Sequence, residues 1–415
     1  VSDTFQSLQS RNFRRYFIGL TASMAGSWMQ IIAQAALVLE LTHSASQLGY
    51  IAAAQMVPVL LLAPSAGVLV DRVKTRHLIL ATQILLGLIA LLLGLLTMSD
   101  NITLWMVYAA AMASGVLTAV DQPARQAFVS ELVPKQLLTN AITLSTVSMN
   151  AARAIGPAIA GIVIVKLSIG ACFLLNGLSY VAVVVALLFV RVNELHERHL
   201  EPRRKGQLRE GLSYAWKHPQ LRVALLMMTI VGTFTYEFQV TLPALADQTF
   251  SNGDGSGVYA WLTGIMGLGA VIGGLITASR PRNGLRPLIA QSVLFGISVL
   301  AVAIAPTEKI ALVALLFSGA SSITLISRGS ATVQLLSEPA KRGRVMALWT
   351  MAFIGTTPIG APICGWIADY AGARWALGMG AVAALTAGGY GALAQRRLGR
   401  NSISFEAPVT AMASP

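Results

Sequence analysis

The sequence predicts an all-α membrane protein. Twelve transmembrane helices form two pseudo-symmetric six-helix bundles, with both termini on the inner, cytoplasmic side. Three observations carry that prediction. The apolar runs between Arg11 and Gln395 divide into twelve segments, each long enough to cross a bilayer. The chain is 55% hydrophobic and 11% charged, against roughly 25% charged residues in a soluble domain. With the N-terminus inside, all but four of the 30 Lys and Arg fall in inward-facing segments. The exceptions are Lys166, Lys309 and Arg374 on the outer side and Arg153 within a span. The formal charge of +13 is thus spread over short inner loops. Its expected partner is anionic membrane lipid rather than nucleic acid.

The spans are expected at about 15–40, 46–70, 77–97, 103–121, 138–165 and 171–190, then 221–246, 257–279, 288–305, 310–328, 344–368 and 374–395. Arg11, Arg14 and Arg15 precede the first run, which is full span length and has no small-residue cleavage site. It therefore reads as a retained span rather than a signal peptide. Inner segments carry Arg72, Lys74 and Arg76, then Arg125 and Lys135, then Arg280, Arg282 and Arg286. Outer turns are short, such as 99–101 and 306–309. The longest polar gap, 191–220, divides six spans from six. It gives an N-terminal bundle 1–190, a cytoplasmic linker 191–220 and a C-terminal bundle 221–400. Within the linker Leu208, Leu212 and Trp216 recur every fourth residue, which predicts a short helix lying on the inner membrane surface. The Ser/Ala/Pro-rich tail 401–415 is expected to be disordered.

The halves repeat each other weakly. Gly156-Pro157-Ala158-Ile159-Ala160-Gly161 aligns with Gly360-Ala361-Pro362-Ile363-Cys364-Gly365. Phe13-Arg14 at the start of the first span matches Leu221-Arg222 at the start of the seventh. Parallel six-span repeats with a central site between them are an architecture of alternating-access carriers.

The region after span 2 contains Gly67, then Asp71-Arg72, then Lys74 and Arg76. Gly67 permits close helix packing. Asp71 at a span end can accept hydrogen bonds from a facing helix N-terminus, braced by Arg72 and Arg76. Such a cluster can latch the inner face in one state and release it in another; topology signal alone is the plainer reading. The equivalent loop of the second half, 274–282, has basic residues and no acid. After span 4 come Asp121, Pro123 and Arg125, and after span 10 come Arg328 and then Arg342-Gly343-Arg344.

Together these motifs resemble the major facilitator superfamily, and within it the drug:proton antiporter-3 branch, over nearly the whole chain. That branch includes macrolide and multidrug efflux proteins and the enterobactin exporter. The resemblance implies a major facilitator fold, gating by Gly67, Asp71, Arg72, Arg76, Asp121 and Arg125, and a bacterial inner-membrane location. It also implies helices 1, 4, 7 and 10 around a central cavity. Gln30 and Gln34, Tyr108 and Met112, Thr233 and Tyr236, and Ser318 and Ser321 would then face the substrate. These neutral, aromatic and thioether groups suit a sizeable amphipathic organic molecule. Interhelical hydrogen bonding uses the same residue types.

Gly156, Pro157 and Gly161 in span 5 resemble the antiporter motif of fifth helices, although Ala152 stands where the fuller motif has Gly. Proline removes a backbone hydrogen bond and bends a helix, and the glycines allow close approach to the other half. Arg153 lies about 22 Å into this span at 1.5 Å per residue. An arginine at that depth costs about 2.5–3.5 kcal/mol on insertion scales, so it requires a partner or water. Thr146, Asn150, Arg153 and Pro157 share one face. The arginine is either a counter-charge for an anionic substrate or titrating acid, or a structural clamp. Glu237 lies about 24 Å into span 7, at a similar depth. It is the one acid well inside a span, with Glu40, Asp247 and Asp369 at outer ends where water reaches them. Burial and nearby charge both act on the proton affinity of such a group. Glu237 is accordingly either a proton-coupling site or one member of a permanent ion pair.

Cys172 and Cys364 lie in apolar runs without metal-ligand spacing. No cofactor, phosphate-binding loop or Ser/His/acid set is evident, so no enzyme is expected. The expectation is a monomeric proton-coupled exporter of a drug-like molecule. A siderophore exporter of the same fold is the near alternative, and a transport-inactive receptor or scaffold the distant one.

Overall fold

The computed structural model describes residues 3–196, 207–250, 255–279, 283–338, 341–353 and 355–397. Their regular elements are all helices. The expectations for 197–206 and for the 401–415 tail lie outside the described residues. Twelve stretches are long and apolar enough to cross a membrane, one for each expected span. In the first half they are α1 (Arg11–Thr42), α2 (Ala45–Arg72), α3 (Thr75–Met98), α4 (Leu104–Leu132), α5 (Leu138–Lys166) and α6 (Ile169–Leu188). A short helix α7 (Gln207–Lys217) precedes the second half. There α8 (Pro219–Phe234) and α9 (Phe238–Leu245) together make span 7. Three single helices follow: α10 (Gly255–Ser279), α11 (Leu285–Ala303) and α12 (Glu308–Leu335). Span 11 is again double, α13 (Arg342–Phe353) with α14 (Thr357–Tyr370), and α15 (Ala373–Arg397) is span 12.

Two expectations are corrected. Spans 7 and 11 are broken, not continuous. Helices α2, α4 and α12 also run past their apolar segments, so Asp71, Arg72, Asp121, Arg125 and Arg328 lie on helices rather than loops. Hydropathy marks only the part of a helix inside hydrocarbon, whereas backbone hydrogen bonding continues where side chains of neighbouring helices cover the ends.

Those ends are capped by named residues. Ser10 Oγ accepts from Phe13 N at 3.4 Å to start α1, and Ser168 Oγ accepts from Ala171 N at 3.1 Å to start α6. The end of α6 gathers donors from other helices. Arg76 Nε donates to Leu187 O at 2.9 Å and Arg15 Nη1 to Phe189 O at 2.6 Å. Asn12 exchanges two 3.0 Å hydrogen bonds with the Arg191 backbone. At the opposite face Arg374 Nη2 donates to Ala305 O at 2.6 Å, just beyond α11. Lys166 is in the last turn of α5. Two of the outer cations thus sit where helix C-termini favour positive charge.

The first half packs α1 against α5 and α6, α3 against α4 and α6, and α2 against α4. The second packs α10 against α12, and α11 against α12 and α15. Helix α7 belongs with the second half: Glu210 pairs with Arg344, and the Tyr214 hydroxyl accepts from Glu338 N at 3.1 Å. Its exposed face carries Leu212 and Trp216, as expected of an interfacial helix; the Leu208 side chain is outside the described set.

The halves meet mainly through α2–α14 and α5–α10, with smaller contacts of α1 and α2 to α9. All of these lie toward the face opposite the basic loops. The segments nearer the basic face, α8 and α13, pack principally within their own half. Glycine permits the close approaches. A side chain at Gly49 would strike the Ala361 carbonyl, and one at Gly360 the Thr233 carbonyl. Gly360→Val is therefore expected to destabilise by about 1–3 kcal/mol or to prevent folding. Gly378→Ala, at a helical glycine with nothing within 4 Å, should leave stability unchanged or raised. Thermal unfolding of the purified protein reads both.

Candidate substrate pathway

Span 7 breaks at Thr235-Tyr236-Glu237, between α8 and α9. No proline sits at the break. Thr233 and Thr229 hydroxyls bond back to carbonyls four residues earlier, at 2.7 and 3.0 Å, and Thr235 Oγ1 reaches across to Gly380 O at 2.7 Å. Such side-chain bonds compete with the helical ladder. Gly360 of α14 then packs against the freed turn.

The break places Tyr236 at the interface between the halves. Arg153 Nη2 donates to the Tyr236 hydroxyl at 2.7 Å. The guanidinium lies 5.3 Å from the Trp28 ring centroid and 5.5 Å from that of Tyr236. One ring comes from each half. The alignment of Phe13-Arg14 with Leu221-Arg222 makes Trp28 and Tyr236 repeat equivalents, so the arginine sits near the pseudo-two-fold. Pro157 lies inside an unbroken α5. Gly156 packs against Ala25 and Trp28 of α1, and Gly161 against Ala260 of α10.

Glu237 is 4% exposed, with Thr357 of α14 as its hydrogen-bonding neighbour. Its Oε1 has no hydrogen-bond partner. It faces Gly360 rather than Arg153. The two mid-membrane charges are therefore adjacent through Tyr236 without forming an ion pair.

The remaining site expectations divide. Gln30 Oε1 accepts from Asn176 at 2.6 Å, Tyr108 donates to Gln47 at 2.7 Å, and Thr233 is bound to its own helix. These three serve helix packing in this state. Gln34 is half-buried, Met112 is exposed, and Ser321 gives its carbonyl to Gln291. Ser318 is fully buried, its hydroxyl without a partner.

The gating set also divides. Asp121 is buried and accepts from Thr82 at 2.6 Å and Gln83 at 2.9 Å, with Arg125 at 2.5 Å. This cluster joins α3 to α4 inside one half. At the corresponding place of the second half Arg328 donates to Gln291 at 3.1 Å. Gly67 is buried in α2. Asp71 and Arg72 line a hollow of about 450 Å³ with Arg76 and Glu131 of the first half and Leu195 just after it. Arg76 is committed to the end of α6 instead of to a latch.

The clearest inter-half polar contact was not anticipated. Asp369, expected to be merely solvated, accepts from Ser44 Oγ at 2.7 Å, Ala45 N at 2.6 Å and Ser46 N at 2.9 Å. The C-terminal end of α14 thereby caps the N-terminus of α2, a favourable place for an anion. Its position at a span end was the available signal; its partners were not legible.

Asp121→Ala leaves Arg125 buried without its counter-ion and is expected to cost about 3–5 kcal/mol, measured by chemical or thermal unfolding. Asp369→Ala removes only a surface contact. Stability should change little, while spin labels at Tyr50 and Trp366 should report a larger population with the two helix ends apart.

The family model described as transmembrane secretion effector, of the major facilitator superfamily, matches residues 2–403. The chain is 27% identical over 282 residues to the staphyloferrin A transporter of Staphylococcus aureus, covering 67% of this chain and 70% of that one. It is 24% identical over 372 residues to macrolide efflux protein A of Streptococcus pyogenes, covering 87% and 91%. Among solved structures it is similar to a POT family transporter in complex with a thioalcohol-conjugated peptide, with TM-score 0.75 at 12% identity over 95% of this chain and 100% of that one. A bacterial homologue of the lysosomal transporter Spinster gives TM-score 0.73 at 12% identity, over 95% and 98%. These likenesses under 25% identity establish the shared fold. With twelve spans in this fold and a family match along nearly its whole length, the chain belongs to the transmembrane secretion effector family of major facilitator efflux transporters and is not an enzyme.

Proposed function

We propose that this protein exports an amphipathic organic molecule across the bacterial inner membrane in exchange for protons. The observation that carries the reading is Glu237. It is a buried carboxyl group with an unpaired oxygen, at the break in span 7, one residue from the inter-half contact of Tyr236 with Arg153. A proton bound or lost there changes the charge of the break itself. The hydrogen bond to Thr357 extends that change to the start of α14, whose far end carries Asp369.

The basic face is assigned to the cytoplasm by the positive-inside rule. The halves then touch at the outer side and separate toward the inside, an inward-facing arrangement of an alternating-access cycle. The relatives named for macrolide efflux and for staphyloferrin A support export of sizeable organic cargo. A drug-like cargo is the first reading. A siderophore-type cargo is the second, favoured by Arg153 having no acid among the described residues paired with it.

Accumulation of macrolides, tetracyclines, cationic dyes and a catecholate siderophore in an efflux-deficient bacterial host tests this reading. Expression should lower accumulation of at least one compound, and a protonophore should abolish the effect. Glu237→Gln should remove the protonophore-sensitive part while retaining substrate counterflow. Full coupled export by that variant would remove Glu237 from the mechanism, and no change across the panel would count against export of such molecules.

A further inference from the structure

We infer that Arg153, clamped between Trp28 and Tyr236, is an in-plane binding site for a carboxylate group of the cargo. The inference rests on the transport reading above and names the chemistry of its substrate.

A guanidinium offers five N–H donors in one plane and a flat face on either side. In this structure both aromatic partners approach within cation–π range, at 5.3 and 5.5 Å. They hold the group from both halves, Tyr236 by its hydroxyl as well as its ring. Along the edge, one donor is used, from Nη2 to the Tyr236 hydroxyl. That bond is to a neutral group and leaves the positive charge uncompensated. No carboxylate of the described residues makes an ion pair with Arg153. Glu237, the acid that follows Tyr236 in sequence, is buried on the Thr357 and Gly360 side of the break.

A cation at mid-membrane depth is costly unless an anion or water meets it. The planar fork suits a bidentate carboxylate, and the flanking Trp28 and Tyr236 rings suit an apolar or planar body attached to it. Arg153 is half-buried, so the edge can be reached. Its position is where the halves part toward the basic face, since α5 beyond it packs on α1 and α10 through Gly156 and Gly161. A carboxylate entering from that side meets the fork where the halves part. The same arginine bonds to the opposite half through Tyr236, so cargo bound along its edge touches the contact that must rearrange during transport.

Binding to the purified full-length chain in lipid nanodiscs tests the inference. The probes are 1-naphthoate and citrate, each compared with its uncharged amide, in titration calorimetry. Wild type should bind a carboxylate about tenfold or more tightly than its amide, the scale of a charge-assisted hydrogen bond. Arg153→Gln should abolish that preference while leaving amide binding unchanged, and Arg153→Lys should restore part of it, since lysine keeps the charge without the fork. Equal affinity for acid and amide would overturn the inference. So would parallel loss of both in Arg153→Gln, the mark of a structural clamp, or the absence of saturable carboxylate binding. Protonophore-sensitive export is read separately, so loss of the carboxylate site and loss of the transport reading are distinguishable.

Discussion

A guanidinium in the middle of a membrane protein must be held by something, and Arg153 is held by both halves at once. Its aromatic neighbours are repeat equivalents, Trp28 from α1 and Tyr236 from span 7, so the cation lies near the axis relating the bundles. The break in span 7 falls beside this contact. An unbroken helix would carry Tyr236 and Glu237 on successive positions of one ladder. The break instead sends Tyr236 to Arg153 and Glu237 to Thr357. Two groups whose direct pairing would neutralise both are thereby kept on different partners, and each retains its own chemistry.

The repeat also shows what differs between the halves. Gly156 meets the backbone of α1 at Ala25, and Gly360 meets that of span 7 at Thr233, in equivalent packings. Around this shared frame the charges are distributed unequally. Arg153 lies three residues before Gly156, and Thr357 three residues before its repeat equivalent Gly360. The helices of the first pair, α1 and α5, are continuous, whereas both members of the second pair are broken. The first half is tied internally by Asp121, Arg125, Gln83 and Thr82. The second half carries both helix breaks, with Glu237 buried at one of them.

Much of this was legible in the sequence. Spans appear as apolar runs because the bilayer demands about 20 apolar residues whatever the tertiary packing. Mid-span charges stand out because each carries a large desolvation cost, which is why Arg153 and Glu237 could be singled out without a structure. Their partners could not. Trp28 and Tyr236 meet only because two distant helices cross there, and nothing local encodes that crossing. Helix extensions past the apolar runs escaped for a related reason: Asp121 reads as a loop residue until Thr82 and Gln83 of α3 are seen beside it. The polar stripe of span 1 illustrates the ambiguity between lining and packing. Gln30 has a residue type fit for either, and Asn176 on α6 decides it in this state.

The placement of ionic contacts follows from what each must do. A buried ion pair is strongly destabilising to break, so the Asp121–Arg125 cluster is suited to a permanent joint within one half. A carrier needs its two states close in free energy, and its inter-half contacts must therefore be breakable. Asp369 meets that requirement. It is exposed, its three hydrogen bonds are screened by water, and its partners are the first residues of a helix whose amides water can satisfy when the contact parts. The remaining inter-half contacts are mostly glycine-mediated helix packing, which has no charge to strand when it opens. Arg153 is the exception, a charge that spans the halves at depth. If the halves part at Tyr236, that cation needs another partner, and the carboxylate proposed above, arriving from the basic face, would supply it.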